Sequence, residues 1–207
     1  MYTNRVTNSY FRLLHASPNA PVVDIYLNNA LAVRNLAYRG FSQYLTVPPG
    51  IYNIKVYPSG QQNIPILDTS ITIPERSIQT IAAIGIAPDI SLLPVNEPAE
   101  PTLPDKVFLR FAHLSPNAPN VDVALPNNSI LFNDVSYMEV ANYTAVNPGN
   151  YTFYIRAAGT NQNVLYVPNI NLKPNRFYTI YAVGIAGGNP PLQVLIPLDG
   201  NSYIKVY

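Results

Sequence analysis

The sequence of 207 residues contains no cysteine. That absence excludes disulfide bonds, zinc sites built from thiolates and cysteine nucleophiles. It fits a protein that must survive oxidation outside a cell, although many cytoplasmic proteins also lack cysteine. The absence of cysteine therefore excludes particular kinds of site but says little about where the protein is located.

Charged residues are scarce. They make up 11% of the chain, less than half of the roughly 25% in an average soluble domain. The net charge is +1 and no basic run occurs, so the chain lacks the basic patch that nucleic-acid binding requires. Asparagine, threonine, serine, glutamine and sixteen tyrosines must cover the surface instead. Such an uncharged polar surface is easily desolvated against another protein or a glycan.

Long apolar runs are also missing. The most continuous one, at residues 78–87, is interrupted by Gln79, Thr80 and Gly85 and has the length of a strand. We therefore expect no membrane span. The first six residues lack the apolar core of a secretory signal. We expect an extracellular location, or one on a cell or spore surface, with an unknown export route.

The chain is an internal duplication. Residues 11–24 read FRLLHASPNAPVVD, and residues 109–122 read LRFAHLSPNAPNVD, with an offset of 98. Farther along, the Pro-Gly-x-Tyr sequence at 49–52 returns at 148–151 with an offset of 99. So many matches in one order indicate two copies of a domain of about a hundred residues.

The period of the hydrophobic pattern is that of β-strands. Residues 51–57 and 151–156 alternate between apolar and polar or aromatic side chains, whereas 81–86 and 180–185 are apolar enough for strands buried on both faces. The 21 prolines interrupt the chain at short intervals. Segments of helical length in which apolar residues recur every 3.6 residues are hard to find. The sequence predicts an all-β fold of two tandem antiparallel β-sandwich domains, immunoglobulin-like or transthyretin-like.

The repeat also predicts the domain boundaries. We expect a first sandwich at 1–96 with an N-terminal extension at 1–10, and a proline-rich, semi-rigid linker at 97–106. The second sandwich occupies 107–207 and ends in a strand-like extension at 199–207. Both extensions lie outside the repeated sequence.

The extreme C-terminus carries a strand pattern of its own. Ile204 and Val206 alternate with Tyr203 and Tyr207 around a lysine. Two interpretations stay open. The segment is either the last strand of the second domain or an assembly strand that adds to the sheet of a neighbouring molecule.

Each copy contains a cation, an imidazole, a hydroxyl and a carboxylate around a Ser-Pro-Asn turn. These residues are Arg12, His15, Ser17 and Asp24 in the first copy and Arg110, His113, Ser115 and Asp122 in the second. The structural interpretation is that Asp24 pairs with Arg12 or caps the amides of the turn, and that His15 satisfies a buried backbone group.

A hydrolase triad is formally conceivable from Ser17, His15 and Asp24. Ser17, however, lies two residues from His15 on one extended segment and precedes a proline, without a glycine-rich elbow or oxyanion donors. The two histidines lie one per copy, and neither has a second histidine or a glutamate at ligand spacing. We therefore expect no enzyme, no metal and no other cofactor.

The motif resembles a known bacterial family. The pattern Arg-x-x-His-x-Ser-Pro-x-Ala-Pro-x-Val-Asp, followed by Pro-Gly-x-Tyr and a later Tyr/Thr-rich strand that ends in glycine, resembles DUF4397, a domain of unknown function. The likeness covers almost the whole chain, once per copy. It implies repeated extracytoplasmic β-sandwich modules of surface or secreted proteins, without catalysis. Family members commonly carry an aspartate where this chain has Asn19 and Asn117, which weakens the case for a calcium site.

These observations give two functional hypotheses. The first is a non-enzymatic structural or adhesive protein, a self-associating subunit of a bacterial cell-surface, spore-surface or appendage assembly that contacts itself or other surface proteins. The alternative is a carbohydrate- or ligand-binding module with one groove per domain, between the sheets or at the domain junction. Exposed tyrosine rings that stack on sugars favour the alternative, although tyrosine is also an ordinary strand residue.

Overall fold

The computed structural model describes residues 7–98 and 103–206, and within them the chain forms sixteen β-strands and no α-helix. Residues 7–98 and 203–206 belong to one compact unit, and residues 103–202 form the other. The predicted all-β fold with two tandem sandwich domains is confirmed. No helix among the described residues is long and apolar enough to cross a membrane.

The first domain contains two four-stranded sheets. Its strands are β1 (Ser9–His15), β2 (Val23–Leu27), β3 (Ala30–Leu36), β4 (Leu45–Val47), β5 (Gly50–Pro58), β6 (Leu67–Ile73), β7 (Ile78–Ile84) and β8 (Ser91–Asn96). One sheet has the order β4-β1-β7-β8 and the other β3-β2-β5-β6. Neighbouring strands are antiparallel except β1 and β7, which are parallel, so the expectation of a purely antiparallel sandwich needs this correction.

The second domain repeats that topology. Its strands are β9 (Val107–His113), β10 (Val121–Ala124), β11 (Ile130–Val135), β12 (Thr144–Val146), β13 (Gly149–Ala157), β14 (Asn163–Leu172), β15 (Arg176–Val183) and β16 (Gln193–Leu195). The sheets have the orders β12-β9-β15-β16 and β11-β10-β13-β14. The parallel pair is β9 and β15, as the duplication requires.

The core of each domain lies between its two sheets. In the first domain, Phe11, Ile25, Ile54 and Ile81 are 0–3% exposed and belong to one cluster. Burying a side chain of this size contributes roughly 1.5–3 kcal/mol. The alternation in β5 places Ile54 in this core and directs Lys55 to the outer face of its sheet.

The β1–β7 sheet of the first domain is covered on both faces. The core covers one face. The segment 37–44 precedes β4 and follows the edge of β1, where Phe41 pairs with Leu14, and the rings of Phe41 and Tyr44 lie over Arg12 on the other face. The backbone N–H of His15 donates to the carbonyl of Gly40 over 3.0 Å, and the N–H of Ser42 donates to the carbonyl of Leu13 over 2.9 Å. Strand β7 is buried almost throughout, as the apolar sequence at 81–86 predicted for its second half.

The predicted linker begins too early. The backbone N–H of Glu97 donates to the carbonyl of Ile78 over 2.8 Å, and Glu97 is only 1% exposed. Glu97 therefore belongs to the first domain, because it continues the pairing of β8 with β7. Residues 99–102 of the predicted linker lie outside the described residues.

The two predicted extensions also need correction. Ser9 and Tyr10 belong to β1 and not to an N-terminal extension; residues 1–6 lie outside the described residues. Residues 200–202 form a 3-10 helix, and 203–206 form no strand. The segment is therefore not a last strand of the second domain, while the alternative that Tyr203, Ile204 and Val206 add to the sheet of a neighbouring molecule stays a prediction; Tyr207 lies outside the described residues.

Candidate functional site

Asp24 caps one backbone amide at a β-bulge in β3 and one at the turn that follows β5. Its Oδ1 accepts hydrogen bonds from the backbone N–H of Asn35 at 2.7 Å and from the hydroxyl of Ser59 at 3.0 Å. Its Oδ2 accepts one from the N–H of Gly60 at 3.0 Å. The Asn35 amide, followed by the Gly60 amide, lowers the pKa of Asp24 below its usual value. Of the two predicted roles, the structure shows capping rather than a pair with Arg12.

The second domain repeats this cap. Oδ1 of Asp122 accepts from the N–H of Asp134 at 2.7 Å, and Oδ2 accepts from the N–H of Gly159 at 3.0 Å. Ala158 stands where the first domain has Ser59. The aspartate of the motif therefore fixes the same β-bulge and the same turn in both copies.

Arg12 instead lies in a buried ionic cluster. Its Nε donates to Thr80 Oγ1 over 2.8 Å, and its guanidinium lies 3.8 Å from Glu97 Oε1. Glu97 also accepts from the hydroxyls of Thr80 at 2.6 Å and Tyr44 at 2.7 Å. The ring centres of Phe41 and Tyr44 are 4.7 and 4.9 Å from the guanidinium carbon. The contacts give Arg12 a structural role.

The equivalent cluster of the second domain uses an aspartate. Arg110 Nε donates to Thr179 Oγ1 over 2.8 Å, and Asp199 accepts from Thr179 at 2.6 Å and from Tyr143 at 2.7 Å. The sequence comparison missed both carboxylates. Glu97 lay in the predicted linker and Asp199 in the predicted tail, and the two differ in type and in offset.

The histidines and serines of the motif have separate structural partners. His15 Nε2 lies 3.0 Å from the carbonyl of Pro21, and the hydroxyl of Ser17 donates to the carbonyl of Gly85 over 2.7 Å. The second copy repeats both contacts, with Pro119 at 3.1 Å from His113 and Gly184 at 2.7 Å from Ser115. Burial lowers the pKa of both imidazoles. These partners give no support to a triad.

Neither a metal site nor an internal ligand cavity is evident. Within the described ranges, no group of three or more histidine, aspartate or glutamate side chains could hold a metal ion. The cavity between the sheets of the first domain is apolar and measures about 20 Å³. It has room for little more than one water molecule, so it cannot hold a sugar.

A larger depression lies on the outer face of the β3-β2-β5-β6 sheet. It has two adjoining parts, of about 190 and 550 Å³, which share Tyr26 and Gln62. We call the whole depression the Tyr26 groove. It is lined by Asp24, Tyr26, Asn29, Arg34, Asn35, Lys55, Tyr57, Ser59, Gly60, Gln61 and Gln62.

The strand register places the aromatic rings of the Tyr26 groove. Tyr26 faces Lys55 across β2 and β5, and Tyr57 faces Asp24, so all four side chains lie on the outer face. The rings of Tyr26 and Tyr57 are 5.5 Å apart and nearly perpendicular. Gln62 donates to the hydroxyl of Tyr26. Both rings are half-buried, which leaves part of each available to a ligand.

The second domain fills the equivalent surface differently. Register places Ala124 where Tyr26 stands, Tyr154 at the position of Lys55, and Arg156 at that of Tyr57. Arg156 is 8% exposed and donates to the side chains of Asn163 at 3.0 Å and Asn128 at 2.8 Å. The two copies therefore share the motif and differ at this surface.

Comparison with known proteins identifies the family. The family model for DUF4397, a domain of unknown function, matches residues 9–124 and 125–205. The Bacillus anthracis TIE protein is similar to this chain at 13% identity, with a TM-score of 0.27. The match covers 87% of this chain but only 34% of the TIE protein chain. CBMbc, a family CBM26 module of Eubacterium rectale Amy13K solved with maltoheptaose, is 10% identical over 93% of this chain and 99% of its own, with a TM-score of 0.31. No curated protein matches the sequence.

Proposed function

The chain belongs to the DUF4397 family, and we propose that this member is a non-enzymatic protein that binds carbohydrate through the Tyr26 groove of its first domain. The observation that carries the proposal is the pair of half-buried tyrosine rings in an open groove that is otherwise lined by polar side chains. A neutral sugar presents an apolar C–H face and a rim of hydroxyls, and this lining complements both.

The aromatic part of the groove is held in place before a ligand arrives. Tyr57 packs its ring edge to face with Tyr26, and Gln62 holds the hydroxyl of Tyr26. A ring whose orientation is already fixed loses little conformational entropy on binding. Tyr26 is therefore the side chain on which we place the sugar ring.

The polar part of the groove offers both donors and acceptors. Asn29, Gln61 and Gln62 are exposed, and each amide side chain carries two N–H donors and an oxygen acceptor. The larger part of the groove, about 550 Å³, falls within the range of about 300–1,000 Å³ that is usual for small-molecule sites. Its position along an open sheet face suits a short stretch of polysaccharide.

The ionisable groups of the groove support a role without catalysis. Hydrolysis of a glycosidic bond ordinarily uses two carboxyl groups that flank the bond. The groove is lined by one carboxylate, Asp24, and its oxygens are occupied by Asn35, Ser59 and Gly60. The lowered pKa of Asp24 keeps it ionised at neutral pH, so it cannot serve as a general acid.

The proposal retains the adhesive role that the sequence favours. We place the protein outside the cell or on a cell or spore surface, where polysaccharides are common partners. The low charge of the chain and its lack of cysteine are consistent with that location.

Titration of the full chain with soluble polysaccharides, selected on a glycan array, tests the proposal. We expect Tyr26→Ala to weaken binding about tenfold or more, which corresponds to about 1.4 kcal/mol. Tyr166→Ala is the matched control, because Tyr166 is 56% exposed on the corresponding sheet of the second domain. Full affinity in Tyr26→Ala, or no binding of any glycan by the folded wild type, would overturn the proposal.

A further inference from the structure

We infer that the Tyr26 groove prefers an acidic saccharide and that Arg34 binds the carboxylate of a uronic acid residue. This inference rests on the proposed function and names the class of sugar. It follows from the position of Arg34, from the contacts that its neighbours already make, and from the change at the equivalent position of the second domain.

Arg34 is an exposed residue of β3 that lines the larger part of the groove together with Tyr26. Among the described residues, its guanidinium has no side-chain hydrogen bond and no ion pair closer than 4 Å. A guanidinium has five N–H donors arranged in a planar fork that fits the two oxygens of a carboxylate. Arg34 can therefore bind an anion without first breaking an internal contact.

The other charges of the groove are already engaged. Lys55 Nζ lies 3.7 Å from Asp68 Oδ2, and Asp24 accepts hydrogen bonds from Asn35, Ser59 and Gly60. Asp24 still attracts Arg34 electrostatically, but its oxygens face the bulge and the turn that it caps. The lining thus contains two cations, Arg34 and Lys55, and one anion, and Arg34 is the cation that remains available to a ligand.

The second domain lacks this feature. Asn133 occupies the position equivalent to Arg34, since Phe132 and Val135 pair with β10 as Val33 and Leu36 pair with β2. A cation in the groove is thus not required by the fold. The cation on that surface of the second domain, Arg156, is already engaged by Asn163 and Asn128. Arg34, by contrast, stands beside the half-buried ring of Tyr26 and has no such partner in the described part of the chain.

The test compares acidic polysaccharides with neutral forms of the same backbone. Alginate, polygalacturonate and hyaluronate are titrated against the full chain, each beside its carboxyl-reduced form. We expect at least one acidic form to bind about tenfold more tightly than its reduced form, and this preference to decrease with added salt because an exposed ion pair is screened.

Variants of Arg34 identify the residue responsible. Arg34→Gln should remove the preference by lowering the affinity for the acidic form to that for its reduced form. Arg34→Lys should restore only part of it, because an ammonium group keeps the charge without the planar fork. Lys173→Gln, at an exposed position of the second domain, removes the same charge and should have no effect.

The outcomes separate this inference from the proposed function. Equal affinity for acidic and reduced forms, or a preference that survives in Arg34→Gln, overturns the inference while carbohydrate binding at Tyr26 stands. If no acidic, reduced or neutral polysaccharide binds the folded protein, both fail. Loss of all binding in Arg34→Gln with an unchanged melting temperature would also contradict the inference, because Arg34 would then be needed for neutral sugars.

Discussion

The guanidinium of Arg12, on the first strand of the first domain, lies 3.8 Å from the carboxylate of Glu97, directly after its last strand. Their side chains are 6% and 0% exposed, so this buried ion pair joins the two ends of the domain. Removal of one partner of such a pair leaves a buried charge without compensation.

We therefore predict that Glu97→Ala lowers the free energy of unfolding of the first domain by about 3–5 kcal/mol. Urea denaturation gives the loss, and hydrogen-exchange mass spectrometry assigns it to the first domain. Glu75→Ala, in an exposed turn, is the control and should change stability by less than about 0.5 kcal/mol. If Glu97→Ala also lowers the free energy of unfolding by less than about 0.5 kcal/mol, the ion pair does not stabilise the domain.

The buried histidines predict how stability depends on pH. Burial lowers the pKa of His15 and His113 below 6.5, although Glu139 slightly opposes the shift at His113. As the pH falls through 6.5, the unfolded chain takes up protons that the folded chain resists, so the contribution of these histidines to stability is constant well above that pH and decreases below it. The urea midpoint measured from pH 8 to pH 5 should fall, and should fall less in His15→Gln. A midpoint that rises on acidification would contradict these pKa directions.

Gly85 is a position where only glycine fits. Its φ is +91°, and a Cβ atom there would collide with the backbone carbonyl of Asp89. Gly85→Ala must therefore move backbone and should destabilise the first domain. Gly60→Ala is the control, since Gly60 has a φ of +77° but no atom within 4 Å of the added Cβ, and should cost only the roughly 1–2 kcal/mol of a left-handed backbone. Equal melting temperatures for the two variants would be inconsistent with this packing.

Self-association, expected from the sequence, stays a prediction. Light scattering over a concentration series measures it, and large assemblies would confirm it, whereas a monomer at every concentration would refute it. A truncation that tests the C-terminus should end after Ser202, because Asp199 belongs to the buried cluster of the second domain. If the C-terminal segment carries assembly, this truncation yields folded monomer.

The repeat and the strand period predicted the fold because both can be recognised directly in the order of the residues. The alternation in β5 and the apolar sequence at 81–86, most of which lies in β7, each matched the burial found. The motif predicted the cap by Asp24 as one of two alternatives. The choice could not be made from sequence, because the true partner of Arg12 is Glu97, at the far end of the domain.

The groove could be predicted only in part. The abundance of tyrosine suggested a surface that binds sugars, and strand alternation is enough to place Tyr26 and Tyr57 on an outer face. Their pairing depends on the register between β2 and β5, and the position of Gln62 depends on the turn that Asp24 caps. Neither contact leaves a signal in the local sequence.

The most direct test of carbohydrate binding at the Tyr26 groove is an NMR titration of the isotope-labelled full chain with the tightest-binding oligosaccharide. We predict that the shifts concentrate on Tyr26, Asn29, Arg34, Lys55 and Gln62, while the equivalent face around Arg156 is unaffected. Shifts that cluster on the second domain, or none at saturating sugar, would contradict the account.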